Sequence, residues 1–191
     1  MPLYALAFGA SRVPAGYDVI LSNKSAFCFA MGAANPAARR ICYCLTPTRF
    51  IYDFDAYAAR ETIPALAMPA LRLANAALRR FERAAAERID TFIAISSDVQ
   101  RRIRALYGRE STVVYPPVDV AHFTPGPGAA PGDYFFIASR LLPYKRIDLA
   151  IRACARLGLR LVIAGDGRDR PRLERLAAAS GGVTFLGRVS D

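Results

Sequence analysis

Two cations follow a short apolar segment in the second half of the chain. Arg140 and Lys145 lie between the predicted strand Tyr134–Ala138 and a predicted helix that begins near residue 147. Open α/β sheets bind ligands at the carboxyl ends of their strands, where helix N-termini also favour anions. A guanidinium fork and an ammonium group can together grip a diphosphate. The pattern predicts a site for a phosphorylated ligand, and the alternative is a pair of solvated charges near a helix start.

A turn with two glycines follows the next predicted strand. Gly165-Asp166-Gly167 lacks the third glycine of a dinucleotide-binding fingerprint, and Arg170 stands in that place. We interpret this segment as a strand-to-helix turn beside the phosphate site. Gly165 is a candidate for contact with the ligand.

The sequence offers little support for a metal site. Asp53 and Asp55 form an Asp-x-Asp pair of a kind that can hold a divalent metal against a diphosphate. However, the chain has no Cys-x-x-Cys pair and one histidine, His122, for which we expect a structural or solvated role. We predict no metal. Cys42 and Cys44 are expected on opposite faces of a strand, where a disulfide does not easily join them.

The elements that must position these residues alternate along the chain. Strands are predicted over residues 18–21, 41–45, 91–95, 112–115, 134–138, 159–164 and 183–186. Most are apolar throughout, as expected for parallel strands covered on both faces. Between them lie segments of helical period: one is capped by Ser97 or Asp98 and ends at Gly108, and another ends at Gly158. The pattern predicts an α/β fold with parallel strands.

A segment dense in proline and glycine, residues 124–132, divides the chain. We predict a first domain over residues 1–127, which includes the first part of this linker and resembles the end of an α/β domain. Residues 128–191 then form the first part of a second domain.

Composition narrows the class of protein. The chain has 191 residues, 53% of hydrophobic type and 22% charged, which excludes a disordered protein. The net charge of +10 is spread evenly over the two predicted domains, which argues against a nucleic-acid footprint. Only Lys24 and Lys145 are lysines, so a general bias toward arginine does not explain Lys145.

The longest helical pattern begins near Ala70 and ends at Arg88. One face is apolar and another is basic: Leu71, Ala74, Leu78, Phe81 and Ala85 against Arg72, Arg79 and Arg83. We interpret it as a helix packed on the sheet with its arginines in water. The alternative is peripheral contact with an anionic membrane.

No apolar stretch approaches the ~18 residues of a membrane-spanning helix. The longest are residues 3–10 and 25–34, and no basic residue precedes the first as in a signal peptide. We therefore expect a cytoplasmic protein with reduced cysteines, with the inner face of the membrane as an alternative location.

Several segments together resemble a known family. In order and spacing, Ser139-Arg140-Leu141, Lys145-Arg146-Ile147-Asp148, Gly165-Asp166-Gly167 and residues 184–189 resemble the donor domain of retaining glycosyltransferases of family 4. Residues 43–50, Tyr-Cys-Leu-Thr-Pro-Thr-Arg-Phe, resemble the family's Tyr-Cys-His-Thr-Pro-x-Arg-Tyr segment. Residues 92–96, 107–108 and 114–119 also match.

The resemblance implies a GT-B architecture of two Rossmann-like parallel-sheet domains, both incomplete in this chain. Such enzymes transfer a hexose, with mannose a candidate, from a GDP- or UDP-linked donor to a glycan or lipid-linked acceptor. They retain the anomeric configuration and use neither metal nor cofactor. Bacterial polysaccharide biosynthesis is the setting that the resemblance implies.

Roles for individual residues follow from the same resemblance. Arg140 and Lys145 would be catalytic, holding the donor diphosphate and stabilising the leaving phosphate. Gly165 belongs to the same donor site, and the backbone at Arg188 and Val189 would lie beside the nucleotide base. The acceptor-side segment would comprise the residues after the Tyr-Cys pair, namely Leu45, Thr46, Pro47 and Arg49.

The chain departs from the family pattern at two points. Leu45 stands where the family has a histidine that touches the donor sugar, and the family's paired glutamates would lie after Asp191. We therefore predict that the chain, as an internal fragment, transfers no sugar by itself. A degenerate anion-binding remnant and a basic nucleic-acid-binding protein are the alternatives.

Overall fold

The computed structural model describes residues 2–24, 26–59, 63–124, 132–179 and 181–190. Its internal contacts divide the chain into unit 1, Met1–Asp119, and unit 2, Val120–Asp191. The boundary predicted between residues 127 and 128 lies outside the described residues.

Unit 1 is built on a parallel sheet of four strands with helices between them. Its elements are α1 (Pro2–Ala10), β1 (Arg12–Val13), β2 (Val19–Lys24), β3 (Gly32–Ala33), β4 (Arg39–Cys44), α2 (Arg49–Tyr52), α3 (Phe54–Ala58), α4 (Met68–Glu87), β5 (Thr91–Ala94), α5 (Ser97–Tyr107) and β6 (Ser111–Val113). The main sheet has the order β2-β4-β5-β6, and β1 pairs with β3 in a separate parallel ribbon.

Unit 2 has three parallel strands in the order β7-β8-β9. Its elements are β7 (Tyr134–Ala138), α6 (Ile147–Leu157), β8 (Arg160–Ala164), α7 (Arg170–Ala178) and β9 (Val183–Gly187), with a 3-10 turn at Pro143–Lys145. The core joins β8 to both helices through Leu161, Ile163, Ile151 and Leu173. The edge strand β7 leaves three aromatic side chains about half exposed, those of Tyr134, Phe135 and Phe136.

Two cysteines lie at the centre of the unit 1 core. Cys42 and Cys44 are fully buried beside Phe92 and Ala94 of the neighbouring strand. The expectation that they face opposite sides of the strand was wrong, because residues two apart in a strand point to the same face. All four cysteines are free thiols.

The predicted helix ends are mostly correct. Gly108 and Gly158 both adopt left-handed conformations, with φ of 65° each, and end α5 and α6. The N-cap of α5 is Ser96, whose hydroxyl accepts the Val99 N–H at 3.2 Å. The prediction of Ser97 or Asp98 as the cap was therefore wrong by one or two residues.

Helix α4 differs from the predicted amphipathic helix in its first half. Leu71 and Leu73 are 37% and 75% exposed, so the apolar face is covered only from Leu78 onward. Arg79 is not a solvated charge, because its guanidinium donates to the carbonyls of Ile51 and Tyr52, at 3.0 and 3.3 Å. It thereby ties α4 to the last turn of α2.

Helix α1 was not predicted, since its residues are apolar all round and show no helical period. Ala5 is buried against Phe27 and Ile51, while Leu3 and Leu6 are 77% and 69% exposed. Over the residues that the structure describes, no helix has both the length and the hydropathy needed to cross a membrane.

Candidate functional site

The three strands of unit 2 run parallel, so the loops that follow them meet at one edge of the sheet. Backbone hydrogen bonds join these loops: Leu141 donates to Asp166 at 2.9 Å, and Gly165 donates to Gly187 at 2.6 Å. Leu141 is fully buried and anchors the first loop in the core. Arg140, next to it, is exposed at this edge.

Gly165 is required by this close approach of loops. Its φ is 122°, and a Cβ at this position would overlap the carbonyl oxygen of Ser139. A Cβ at Gly167 would likewise overlap the carbonyl oxygen of Leu141. Backbone packing thus accounts for both glycines, and a contact of Gly165 with a ligand stays a prediction.

Arg140 and Lys145 both lie against Tyr144. The Arg140 guanidinium is 3.5 Å from the Tyr144 hydroxyl, and Lys145 Nζ is 5.6 Å from the centre of the ring. Within the described part of unit 2, neither cation forms an ion pair with an acid. The loop therefore presents two positive charges that an anion can share.

An ion pair immediately after Lys145 fixes this loop. Arg146 adopts a left-handed conformation, with φ of 54°, and donates two hydrogen bonds to the Asp148 carboxylate, at 3.0 and 3.1 Å. The hydrogen bond from Arg146 holds the pKa of Asp148 below its ordinary value. Asp148 also lies 4.0 Å from Arg172, which pairs with Asp169 at 2.7 Å. Side chains of both α6 and α7 thus hold the loop that carries Arg140 and Lys145 in place.

The third loop carries the residues predicted beside the nucleotide base. Arg188 and Val189 directly follow β9 and are exposed. Arg170 reaches the same edge, because its Nη1 lies 3.4 Å from where a Cβ of Gly187 would stand. Its guanidinium pairs with Glu174 at 2.7 Å. From the sequence, Arg170 was noted only as the residue that stands in place of the third glycine of a dinucleotide-binding fingerprint.

In unit 1, the predicted acceptor-side segment leaves the carboxyl end of β4. Leu45 and Thr46 are half-buried, Pro47 is buried, and Arg49 is exposed at the start of α2. The Thr46 hydroxyl accepts a hydrogen bond from Arg102 at 2.8 Å. The segment is therefore held from α5 as well as by its own strand.

A buried ion pair lies directly beneath this segment. Lys24, the last residue of β2, and Glu82 of α4 are both 0% exposed, with Nζ 2.8 Å from Oε1. Lys24 also donates to the Thr46 carbonyl at 3.3 Å and to the Thr48 hydroxyl at 3.1 Å. One ammonium group thus connects β2, α4 and the acceptor-side segment.

The two oxygens of the Glu82 carboxylate differ in their hydrogen-bond partners. Oε1 accepts the Thr48 hydroxyl at 2.6 Å and the Tyr107 hydroxyl at 2.7 Å, besides the ammonium. Oε2 is buried and has no hydrogen-bond partner among the described residues. Burial, and next the Glu82 charge, raise the pKa of Tyr107 and raise that of Tyr52 to about 12.

Sequence reasoning missed this network. The signal was the rarity of lysine, which drew attention to Lys145 and applies equally to Lys24. Glu82 gave no signal, because a glutamate in a basic helix is an ordinary surface residue.

Each of the weaker chemical candidates, Asp53, Asp55 and His122, has a different side chain as its neighbour. Asp55 pairs with Arg72 at 3.2 Å, whereas Asp53 lies 4.0 Å from Arg102. His122 packs edge-on against Phe123, with ring centres 4.9 Å apart. In the described ranges, no three His, Cys, Asp or Glu side chains come together as a metal would require.

Comparison with known proteins identifies the class. Residues 3–122 match the model of Glycosyltransferase Family 4, and residues 128–191 match that of Glycosyl transferases group 1. Together with the two parallel α/β units, these matches confirm the GT-B, Rossmann-like fold class. The chain belongs to Glycosyltransferase Family 4.

Some solved structures are similar to part of the chain. A complex of S. aureus TarM with Fondaparinux, alpha-GlcNAc-glycerol and UDP shares 17% identity and a TM-score of 0.48. The match covers 59% of this chain and 24% of that one. Anabaena HepE in complex with UDP shares 23% identity and a TM-score of 0.49, covering 60% and 38%. No match was found among curated proteins.

Proposed function

We propose that this chain is part of an enzyme that transfers a sugar from a nucleotide-sugar donor to an acceptor. The observation that carries the proposal is the pair Arg140 and Lys145. Both project from one braced loop at the carboxyl edge of the unit 2 sheet, and neither has an acidic partner among the described residues. This edge is where open α/β sheets bind nucleotides.

The chemistry follows from the charge that develops on the leaving group. The bond from the anomeric carbon to the diphosphate breaks, and the bond to the acceptor oxygen forms on the same face of the sugar. The acceptor proton passes to an oxygen of the leaving phosphate. Arg140 and Lys145 stabilise the negative charge on that phosphate, so the reaction proceeds without metal or cofactor.

Donor and acceptor are proposed only as classes. The donor is a GDP- or UDP-linked hexose, with mannose included, and the acceptor is a glycan or a lipid-linked acceptor. Arg188 and Val189 would pass the base, and Gly165 would keep its loop close to the donor. Leu45, Thr46, Pro47 and Arg49 would face the acceptor side.

Calorimetric titration with GDP and UDP tests the proposal on the full 191-residue chain. We expect Lys145→Ala to weaken binding about tenfold or more, because a charge-assisted hydrogen bond contributes about 1.5–3 kcal/mol. Arg160→Ala is the matched control: Arg160 pairs with Asp133 at the start of β8, at the opposite edge of the same sheet.

Equal binding by the wild-type chain and the Lys145→Ala variant would refute the donor site. A longer protein could bind nucleoside diphosphates through Lys145 and yet release none from a nucleotide-sugar donor. That result would support the alternative, a degenerate anion-binding remnant. A donor series of GDP-mannose, UDP-glucose and related sugars then separates the proposed substrates.

A further inference from the structure

A cavity lies at the amino edge of the unit 1 sheet, opposite to the edge that carries the acceptor-side segment. Its volume is about 660 Å³, and four arginines and one aspartate line it: Arg12, Arg39, Arg40, Arg88 and Asp90. The remaining lining residues are small, from Gly32 to Ala38. A cavity of this size is in the range of small-molecule sites.

The secondary structure brings the arginines to this cavity from three directions. Arg39 and Arg40 open β4, Arg12 opens β1, and Arg88 directly follows α4. Asp90 stands just before β5, the neighbour of β4. Because these positions are far apart in sequence, the cluster results from the fold and not from a local run of basic residues.

One guanidinium is fixed by the backbone. Arg40 Nη2 donates to the Phe29 carbonyl at 3.0 Å and also to the Met31 carbonyl. The Asp90 carboxylate in turn accepts the Arg40 backbone N–H at 2.7 Å. These contacts hold the floor of the cavity in place, whereas Arg39 and Arg88 are exposed at its rim.

The positive charge in the cavity is not balanced. Four arginines and one aspartate line it, and within the described ranges none of these four arginines forms a salt bridge. Burial, and after it the nearby Arg88 charge, lower the pKa of Arg40, whereas the Asp90 carboxylate raises it. A bound anion would offset the excess of positive charge among the lining residues.

We propose that this cavity binds an oxyanion of the phosphate class, either a phosphate ester or a diphosphate. Planar guanidinium groups match phosphate oxygens in a two-pronged geometry, which ammonium groups do not. A single phosphate fills only part of the cavity, and the small residues between Gly32 and Ala38 leave room for the group attached to it. The site is distinct from the proposed donor site, since it belongs to the other unit.

Titration of the full chain with inorganic pyrophosphate tests the proposal by stoichiometry. The wild-type chain is expected to bind two equivalents, one at each cation cluster. The double variant Arg39→Gln/Arg88→Gln is expected to lose one equivalent, or to bind it about tenfold or more weakly, and to keep the other. Lys145→Ala is expected to show the converse loss.

Arg101→Gln is the matched control, because Arg101 is an exposed arginine of unit 1 at the start of α5. Circular dichroism checks that each variant is folded. A hexose 1-phosphate and a short-chain phosphatidic acid then distinguish a sugar phosphate from a lipid headgroup. The proposal is overturned if the double variant binds the same two equivalents as wild type, or if the wild-type chain binds only at the site that Lys145→Ala removes.

Discussion

Replacing Lys24 by methionine isolates the buried ion pair beneath the acceptor-side segment. Methionine keeps the length of the side chain and its packing near Phe29, whose ring centre lies 4.9 Å from the ammonium. It removes the only positive charge that contacts the Glu82 carboxylate among the described residues. Glu82 would keep its hydrogen bonds from the Thr48 and Tyr107 hydroxyls.

The expected loss is about 3–5 kcal/mol in the free energy of unfolding of unit 1, because one partner of a fully buried pair is left without compensation. That is a large share of the about 5–15 kcal/mol that stabilises an ordinary domain. The double variant Lys24→Met/Glu82→Gln is expected to recover most of the loss, since it buries no charge. Arg101→Met breaks an exposed pair, with side chains 72% and 64% exposed, and should cost under about 1 kcal/mol.

Thiol labelling in increasing urea measures the two units separately. Cys42 and Cys44 are buried in unit 1, and Cys154 is buried in unit 2. Mass spectrometry of the labelled peptides then assigns a midpoint to each unit. Lys24→Met should lower the midpoint for Cys42 and Cys44 and leave that for Cys154 unchanged.

Two results would refute the reasoning. One is a Lys24→Met chain whose unit 1 is within about 1 kcal/mol of wild type, as for an exposed pair. The other is a double-mutant cycle in which the two single losses simply add, because residues in direct contact are expected to couple by at least about 0.5 kcal/mol.

Two further predictions concern unit 2. Gly165→Ala should destabilise this unit by about 2–4 kcal/mol, because the added methyl group overlaps a backbone carbonyl. Gly158→Ala should cost about 1 kcal/mol, because there is open space around Gly158. The urea midpoints of Cys154 labelling compare the stability of the two variants. Because Arg146 lowers the pKa of Asp148, the pair stabilises unit 2 above the ordinary carboxyl pKa of 3.8 and this stability is lost as the pH falls further. Asp148→Asn should therefore be less stable than wild type at neutral pH and should lose less stability on acidification, and equal pH profiles would contradict this.

The strands were the most predictable part of the fold. β7 was predicted with its observed bounds, and the other six predicted strands are within one to three residues of those observed. Buried parallel strands are short apolar runs, so their position can be read locally. The β1–β3 ribbon could not be predicted, because two-residue strands have no period and depend on their partner.

The candidate site was predictable only where its residues are adjacent in sequence. Arg140 and Lys145 stand in one loop, and their spacing after a strand was enough to single them out. The four arginines of the unit 1 cavity come from β1, β4 and the end of α4, so only the fold reveals them. The same holds for Lys24 and Glu82, which lie far apart in the sequence and meet through the packing of α4.

The two lysines illustrate how burial separates a structural from a functional charge. Both lie at the carboxyl side of a parallel sheet, Lys24 at the end of β2 and Lys145 in the loop after β7. Lys24 is fully buried, and its ammonium is saturated by Glu82, a carbonyl and a hydroxyl, so it can hold the acceptor-side segment but has no donor left for a substrate. Lys145 is exposed, its neighbour Arg146 takes the nearby carboxylate, and its ammonium remains available to an anion. An arginine is too large and too rigidly planar to replace Lys24 in its closed site, which gives a physical reason for a lysine there in an arginine-rich chain.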